Sequence, residues 1–166
     1  MSDMWVDINE FHTKFLLPQQ EVPSLLEKEL LEFRTKFLYE ELAEFEDACE
    51  RKDLMKAFDA LLDLVYVAMG TAYMMNVPWD RGWEHVQNAN MAKIRAKKEG
   101  ESKRGSTYDV VKPEGWISPD KMLLAELLIH EHKLLVEKQD RTAIEKCRQP
   151  KGIWMVKNDD NEDGDA

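Results

Sequence analysis

The feature that most restricts the fold is a pair of long segments of helical period separated by only two residues. The first runs from about residue 25 to 51 and the second from about 54 to 76, with Lys52 and Asp53 between them. In both segments apolar residues recur at the three- and four-residue spacing of an α-helix. Because so short a connection joins helices as antiparallel neighbours, the sequence predicts a helical hairpin in which Asp53 caps the second helix.

Three further segments have helical character, and one long segment does not. Apolar spacing predicts helices over about residues 4–16 and 79–97, and a Ser-Pro start predicts another over about 118–138. Residues 100–119 contain three glycines and two prolines with little periodicity, which predicts a long loop before the last helix. Since no segment alternates as a strand does, the predicted fold class is all-α, a bundle of about five helices.

The C-terminal residues differ in composition from the rest of the chain. Five of the last eight residues are acidic, so we predict a disordered acidic tail over residues 157–166, after a single domain over residues 1–156. The formal net charge of the chain is −10, and the chain remains acidic without the tail. This charge argues against a nucleic-acid partner, because the phosphate backbone attracts basic proteins.

Neither a membrane span nor a disulfide framework is predicted. The longest apolar run, residues 60–75, is interrupted by Asp63, which argues against a transmembrane helix and a membrane partner. The chain has only two cysteines, Cys49 and Cys147, which favours a reducing compartment. The sequence therefore predicts a cytoplasmic protein.

Acidic side chains occur where the first helix of the hairpin should be apolar. At about 100° per residue, one broad face of residues 29–50 carries most of the large apolar side chains. Glu41 and Glu44 fall inside that face, Glu40 lies at its edge, and the remaining acids, such as Glu46, fall on the opposite side. Charge on an outer face is ordinary, whereas charge on an inner face requires a partner.

The second helix of the hairpin repeats this pattern. Residues 60–69 are apolar except for Asp63 and Tyr66, and a helix that is apolar nearly all round is normally buried. An unpaired carboxylate there would cost several kcal/mol. Asp59 lies one turn earlier on the same side. Gly70 lies about two turns after Asp63, where a second backbone or a ligand could approach closely.

Folding the hairpin should bring these acids together. Glu41, Glu44, Asp59 and Asp63, with Glu40 close by, would then repel one another in a poorly hydrated site. A divalent cation would relieve this repulsion, and ligands that are all oxygen favour Mg²⁺, with Mn²⁺ as a substitute. Because proteins commonly bind Mg²⁺ with few carboxylates, water and substrate phosphates, the cluster suggests a phosphorylated substrate.

Two other interpretations of the cluster remain open. The acids could pair with basic side chains of the core, for which the candidates are Arg34, Lys56, His130 and His132. A carboxylate-bridged iron site is a second alternative. It usually requires Glu-x-x-His on two helices, and no such motif occurs near these acids.

Four stretches taken together resemble a known family. These are RTKFLYEELAEFEDA, FDALLDLVYVAMGTA, VQNANMAKI and KPEGWISPD, which lie within about residues 11–120. They are similar to the all-α nucleoside triphosphate pyrophosphohydrolases, the MazG-like superfamily that includes phosphoribosyl-ATP pyrophosphohydrolase. The DALxDxxYxxxG, NxNMxK and KPEGWxxPD patterns resemble its bacterial and phage branch.

The resemblance implies an activity and a set of site residues. The activity is Mg²⁺-dependent hydrolysis of a nucleoside triphosphate at the α–β bond, which releases a nucleoside monophosphate and pyrophosphate. The catalytic and metal-binding acids would be Glu40, Glu41, Glu44 and Asp63, with Glu40 as the base that orients water. Many relatives have a second acid three residues before the position of Asp63. This chain has Ala60 there, so Asp59 is the substitute metal ligand.

The resemblance also suggests how the substrate is held. Asn90 and Lys93, in the NxNMxK motif, are candidate phosphate-binding residues, as are Lys103 and Arg104 in the following basic segment. Trp116 is a candidate stacking partner for the base. Phage relatives suggest a purine deoxynucleotide such as dGTP, in the cytoplasm of a bacterium or of a phage-infected host.

Relatives form homodimers and homotetramers, and the same is expected here. Two alternatives to the enzyme remain. One is a non-catalytic helical module that binds a nucleotide or a protein. The other is an interaction protein that acts through its acidic tail.

Overall fold

The computed structural model describes residues 3–148, and these residues form five α-helices with one small β-hairpin. The predicted tail over residues 157–166, and with it the predicted end of the domain at residue 156, lies outside the described residues. The helices are α1 (Asp3–Lys14), α2 (Lys28–Glu50), α3 (Leu54–Met74), α4 (Trp79–Met91) and α5 (Asp120–Arg148). The strands are β1 (Ile94–Arg95) and β2 (Val110–Val111), with a short 3-10 helix over Glu99–Glu101 between them. The all-α class is confirmed.

The α2–α3 hairpin is the most extensive helix pair in the structure. Its turn is made by Lys52, which adopts a left-handed conformation (φ 57°), as the residue after a helix end often does. Asp53 then caps α3, because its side chain accepts a hydrogen bond from the backbone N–H of Lys56 at 3.1 Å. The predicted hairpin and its capping residue are therefore both present.

Small side chains set the spacing within the hairpin. Ala48 of α2 and Ala57 and Ala60 of α3 are all buried. Because alanine has no side chain beyond Cβ, these positions let the two backbones approach closely. The alanine at position 60 thus serves the packing of the hairpin.

Helix α1 packs on α3 and contacts the start of α4. Ile8 and His12 are its buried residues, and the ring of Trp5 stacks on that of Trp79, with centroids 5.8 Å apart and planes 3° apart. Helix α1 ends where Leu16 turns into a left-handed conformation (φ 51°). This places the buried face of α1 against the same side of α3 that faces α2.

The second part of the chain differs from the sequence-based prediction. Helix α4 ends at Met91 rather than near residue 97, because Ile94 and Arg95 pair with Val111 and Val110 in an antiparallel ladder. The predicted loop over 100–119 therefore contains a strand. Helix α5 packs on α4 and continues to Arg148, about ten residues further than predicted.

Helix α3 was predicted to be buried nearly all round, and the described residues of one chain bury only part of it. Its inner side is buried, but Phe58 is 61% exposed and Leu62 is 54% exposed, and Val65 is exposed beside them. Residues 3–148 of one chain thus leave an apolar face of α3 uncovered. Among the described residues, α3 is also the one helix that is long and apolar enough to cross a membrane. This criterion uses length and composition only, and core helices of soluble proteins meet it too.

Candidate active site

Four carboxylates surround that of Glu41 in the α2–α3 hairpin. Glu41 itself is 7% exposed. Burial raises the pKa of its carboxyl, and repulsion from Asp63, Glu44, Glu40 and Asp59 raises this pKa further. The structure therefore places all four of these acids within electrostatic range of Glu41.

The burial of these acids is more uneven than predicted. Glu44 and Asp63 were expected to point inward, but both are exposed, as are Glu40 and Asp59. The reason is that a helical wheel assigns a face to a side chain, whereas the neighbouring elements decide how much of that face is covered. Glu41 alone lies under other side chains, and the remaining acids surround it at the rim.

The basic residues that could have neutralised the cluster mostly bond elsewhere. Arg34 donates hydrogen bonds from Nη2 to the carbonyl of Val67 (2.6 Å) and from Nε to Oγ1 of Thr71 (3.0 Å). His130 Nε2 donates to Oδ1 of Asn76 at 3.2 Å.

Only Asp59 has a basic partner among the candidates. Lys56 Nζ lies 3.1 Å from its Oδ2 in an exposed ion pair. His132 is exposed on α5. In the described part of the chain, no ion pair involves Glu40, Glu41, Glu44 or Asp63, so the internal pairing alternative accounts for one acid of five.

The donor chemistry of the cluster fits a hard divalent cation. All the side chains concerned are carboxylates, and their mutual repulsion favours a bound positive charge. Within residues 3–148, however, no three Asp, Glu, His or Cys side chains are already spaced to hold an ion. A cation here would therefore need carboxylate rotation, with water and substrate oxygens as further ligands, which is how Mg²⁺ is usually bound.

A cavity of about 220 Å³ opens beside the carboxylates. Glu41 and Asp63 form part of its wall, and the aromatic rings of Phe11, Phe37 and Tyr66 form another part. Phe11 packs edge-on against Tyr66, with their centroids 5.4 Å apart. The site thus combines an acidic rim with an aromatic interior.

Three predicted substrate-binding residues form a separate cluster at the end of α4. Lys93 Nζ donates to Oδ1 of Asn90 at 2.7 Å and lies 5.9 Å from the ring centroid of Trp116. Trp116 Nε1 donates to the carbonyl of Ala89 at 2.7 Å, which ties its loop to α4, and Lys112 covers its ring at 4.1 Å. Trp116 is therefore occupied by contacts with α4, Lys93 and Lys112.

The other two predicted contacts belong to the β-hairpin. Arg104 Nη1 is paired with Oδ1 of Asp109 at 2.8 Å, and its backbone N–H donates to Oγ of Ser102. Lys103 is exposed. Neither residue, and none of the cluster at the end of α4, lines the cavity beside the carboxylates. The single chain does not bring the predicted cationic groups to the acids.

Two residues of the cavity were missed as site residues by sequence reasoning. His12 and Arg34 line it and are both buried. The sequence did contain a signal for His12. This residue lies one turn after Ile8 on the apolar stripe of α1, where a polar side chain is unusual. Arg34 had been considered only as a possible ion-pair partner.

The raised pKa of Glu41 gives a first prediction. Without divalent ions, Glu41→Gln should increase the free energy of unfolding at pH 7. The folded state binds a proton at Glu41 more tightly than the unfolded state does, so the ionised carboxyl costs stability above its ordinary pKa of 4.5. Denaturant unfolding at several pH values should show that the gain fades as the pH falls from neutral through the raised pKa of Glu41 and is lost below 4.5.

The matched control for this measurement is Glu46→Gln, which removes an exposed acid from the outer face of the same helix. It should leave the stability nearly unchanged at every pH, because surface charges contribute little. If Glu41→Gln destabilised the ion-free protein at neutral pH, the ionised carboxyl of Glu41 would not lower the stability. That result would contradict repulsion among the carboxylates.

Comparison with known proteins gives one family match. The model of phosphoribosyl-ATP pyrophosphohydrolase matches residues 8–90. The matched region begins in α1, includes the whole α2–α3 hairpin and ends in α4, so it covers all five carboxylates and the cavity beside them. No curated protein matches the chain.

Proposed function

Because the chain belongs to the phosphoribosyl-ATP pyrophosphohydrolase family, we propose that it hydrolyses a nucleoside triphosphate at the α–β bond, releasing a nucleoside monophosphate and pyrophosphate. The family implies a nucleotide pyrophosphohydrolase that typically depends on a divalent metal. The observation that carries the proposal is the set of carboxylates around Glu41 beside a cavity, all within the matched region. A purely structural hairpin would not be expected to retain an acidic cluster of this kind.

The carboxylates would have different roles. Glu41, Glu44 and Asp63 would hold Mg²⁺, or Mn²⁺ in its place, with Asp59 as a further candidate ligand. Lys56 already pairs with Asp59, which makes Asp59 the most replaceable of these ligands. When bound, the ion would neutralise charge on the phosphates of the substrate. Glu40, exposed at the rim, would accept a proton from the attacking water.

The cationic residues would act on the phosphates of the substrate from outside the cavity. Lys93 follows the end of α4 beside the neutral amide of Asn90, and Lys103 and Arg104 lie in the β-hairpin. None of these residues lines the cavity of its own chain. Their participation would require movement of these elements or a second copy of the chain. The uncovered apolar face of α3 supports a homodimer or homotetramer, because a stable surface rarely exposes so many large apolar side chains.

The substrate would be a deoxynucleoside triphosphate, such as dGTP, in the cytoplasm of a bacterium or of a phage-infected host. Pyrophosphate release from the eight common ribo- and deoxyribonucleoside triphosphates, with phosphoribosyl-ATP as a ninth compound, tests this. We expect Mg²⁺-dependent turnover with at least one deoxynucleotide, and weaker turnover of phosphoribosyl-ATP. Turnover of none of them would favour a non-catalytic nucleotide- or protein-binding module instead.

A further inference from the structure

His12 is a buried polar side chain with one ring nitrogen that the described residues leave without a hydrogen-bond partner. It is 2% exposed, and among the described residues no group bonds its Nδ1. Its neighbours are rings, with the centroid of Tyr73 at 4.6 Å and that of Phe11 at 5.9 Å. Nearly all buried polar atoms in proteins are paired. The imidazole of His12 therefore has hydrogen-bonding capacity that the described residues do not use, and its ring lines the cavity beside the carboxylates.

Arg34 is a buried cation without an anionic partner. It is 6% exposed, and its Nη2 and Nε bond the neutral oxygens of Val67 and Thr71. In the described part of the chain no carboxylate forms an ion pair with it, although Glu41 lines the same cavity. A buried guanidinium usually needs a charged or strongly polar acceptor, and two neutral acceptors leave its Nη1 available.

Gly70 leaves the space in which these two side chains meet. A Cβ atom at this position would lie 2.9 Å from Nε2 of His12 and 3.1 Å from Nη2 of Arg34, closer than ordinary contacts. Both polar heads therefore lie against the α3 backbone at the wall of the cavity. Burial and the positive charge of Arg34 lower the pKa of His12, so at neutral pH its ring is uncharged.

The size and lining of the cavity indicate which part of a ligand it would hold. Its volume of about 220 Å³ is below the roughly 300–1,000 Å³ of pockets for whole drug-sized ligands, so it would take one portion of a nucleotide. Phe11, Phe37 and Tyr66 provide ring surfaces, and nucleobases stack on such rings. The phosphates, in contrast, would lie at the acidic rim with the cation.

We propose that this cavity receives the nucleobase and that Arg34 and His12 bind a carbonyl oxygen on the edge of the base. The proposal rests on the proposed function and specifies its substrate class. Arginine donors match the O6 and N7 acceptors of guanine. Adenine carries an amino group in place of O6, and its N–H donors would face the guanidinium. The site therefore selects 6-oxopurines over adenine.

A pair of substrates that differ only at this edge of the base tests the selection. dITP and dATP share the sugar, the triphosphate and the purine ring system, but dITP has an oxygen at C6 and a proton on N1, whereas dATP has an amino group at C6 and an unprotonated N1. We expect kcat/KM to favour dITP by about tenfold to a hundredfold, the range for a hydrogen bond to a charged group. Calorimetry with dIMP and dAMP in the presence of Mg²⁺ should show the same order of affinity without requiring turnover, because neither monophosphate is hydrolysed.

His12→Phe tests the role of the imidazole. It keeps an aromatic ring but removes the polar nitrogens, so the preference for dITP should fall by about tenfold. His132→Phe, at an exposed position on α5, is the matched control and should leave the preference unchanged. Gly70→Ala is a second variant, because its methyl group would displace His12 and Arg34 and should weaken dIMP binding more than phosphate binding. Circular dichroism establishes that each variant is folded.

The outcomes separate this inference from the proposed function. A wild-type enzyme that hydrolyses dITP and dATP equally well would overturn the base selection and leave the pyrophosphohydrolase intact. If no nucleotide were hydrolysed, the proposed function would be wrong, and the calorimetry would still decide whether the cavity binds a 6-oxopurine. Equal affinity for dIMP and dAMP, or no binding of either, would overturn the inference.

Discussion

Replacing Asp63 by asparagine is expected to reduce kcat for pyrophosphate release by about 10²- to 10³-fold or more, the loss seen when one preorganised charge-stabilising group is removed. Asparagine keeps the size of the side chain but removes its negative charge. Asp63 lies on α3, at the rim of the cavity and within electrostatic range of Glu41. Glu44→Gln, on α2, should have an effect of the same order. Initial rates at saturating substrate and Mg²⁺ would measure both effects.

The variants should remain folded, because Asp63 and Glu44 are exposed and form no ion pair among the described residues. Thermal unfolding would establish this. Glu46→Gln is the matched control, since it makes the same chemical change two residues from Glu44 on the outer face of α2, and it should retain wild-type kcat. Full activity in a folded Asp63→Asn protein would show that the carboxylate cluster takes no part in catalysis.

Removal of divalent ions should abolish turnover, and Mg²⁺ or Mn²⁺ should restore it. Without a cation, the acids around Glu41 repel one another and would also repel the phosphates of the substrate. Binding of the ion to the folded state alone should also raise the melting temperature, by about 5 °C at an ion concentration 100 times its dissociation constant. Scanning calorimetry with and without Mn²⁺ measures this shift.

The stabilising effect of the ion should depend on the charge of the cluster. In Glu41→Gln the shift with Mn²⁺ should be much smaller, because a central carboxylate is missing and the remaining repulsion is weaker. In Glu46→Gln it should equal the wild-type shift. Undiminished turnover after chelation would be inconsistent with a metal-dependent site in the hairpin.

The helical hairpin was predictable because local features determine it. The apolar period fixes the two helices, and Lys52 and Asp53 provide a turn and a cap that depend on neighbouring residues alone. The meeting of the five carboxylates followed from this geometry, since antiparallel neighbours place α2 and α3 side by side. The family match over residues 8–90 agrees with the resemblance found from the same motifs.

Features that depend on distant contacts were not predictable in the same way. A strand as short as Ile94–Arg95 has no alternation to detect and exists because Val110 and Val111 pair with it. Likewise, the exposure of Asp63 is decided by which elements cover the rim of α3. The orphaned nitrogen of His12 becomes visible only when α1 is packed on α3, because its sequence neighbours do not show what surrounds the ring.

Anomalous diffraction from crystals grown with Mn²⁺ and a non-hydrolysable dGTP analogue would test the central claim most directly. The claim is that the acids around Glu41 exist to bind a divalent ion under a nucleotide. It predicts an anomalous peak between the carboxylates of α2 and Asp63 of α3, with phosphate oxygens completing the ligand set. The claim would be contradicted by density in which lysine or arginine side chains neutralise these carboxylates, with no manganese near the hairpin.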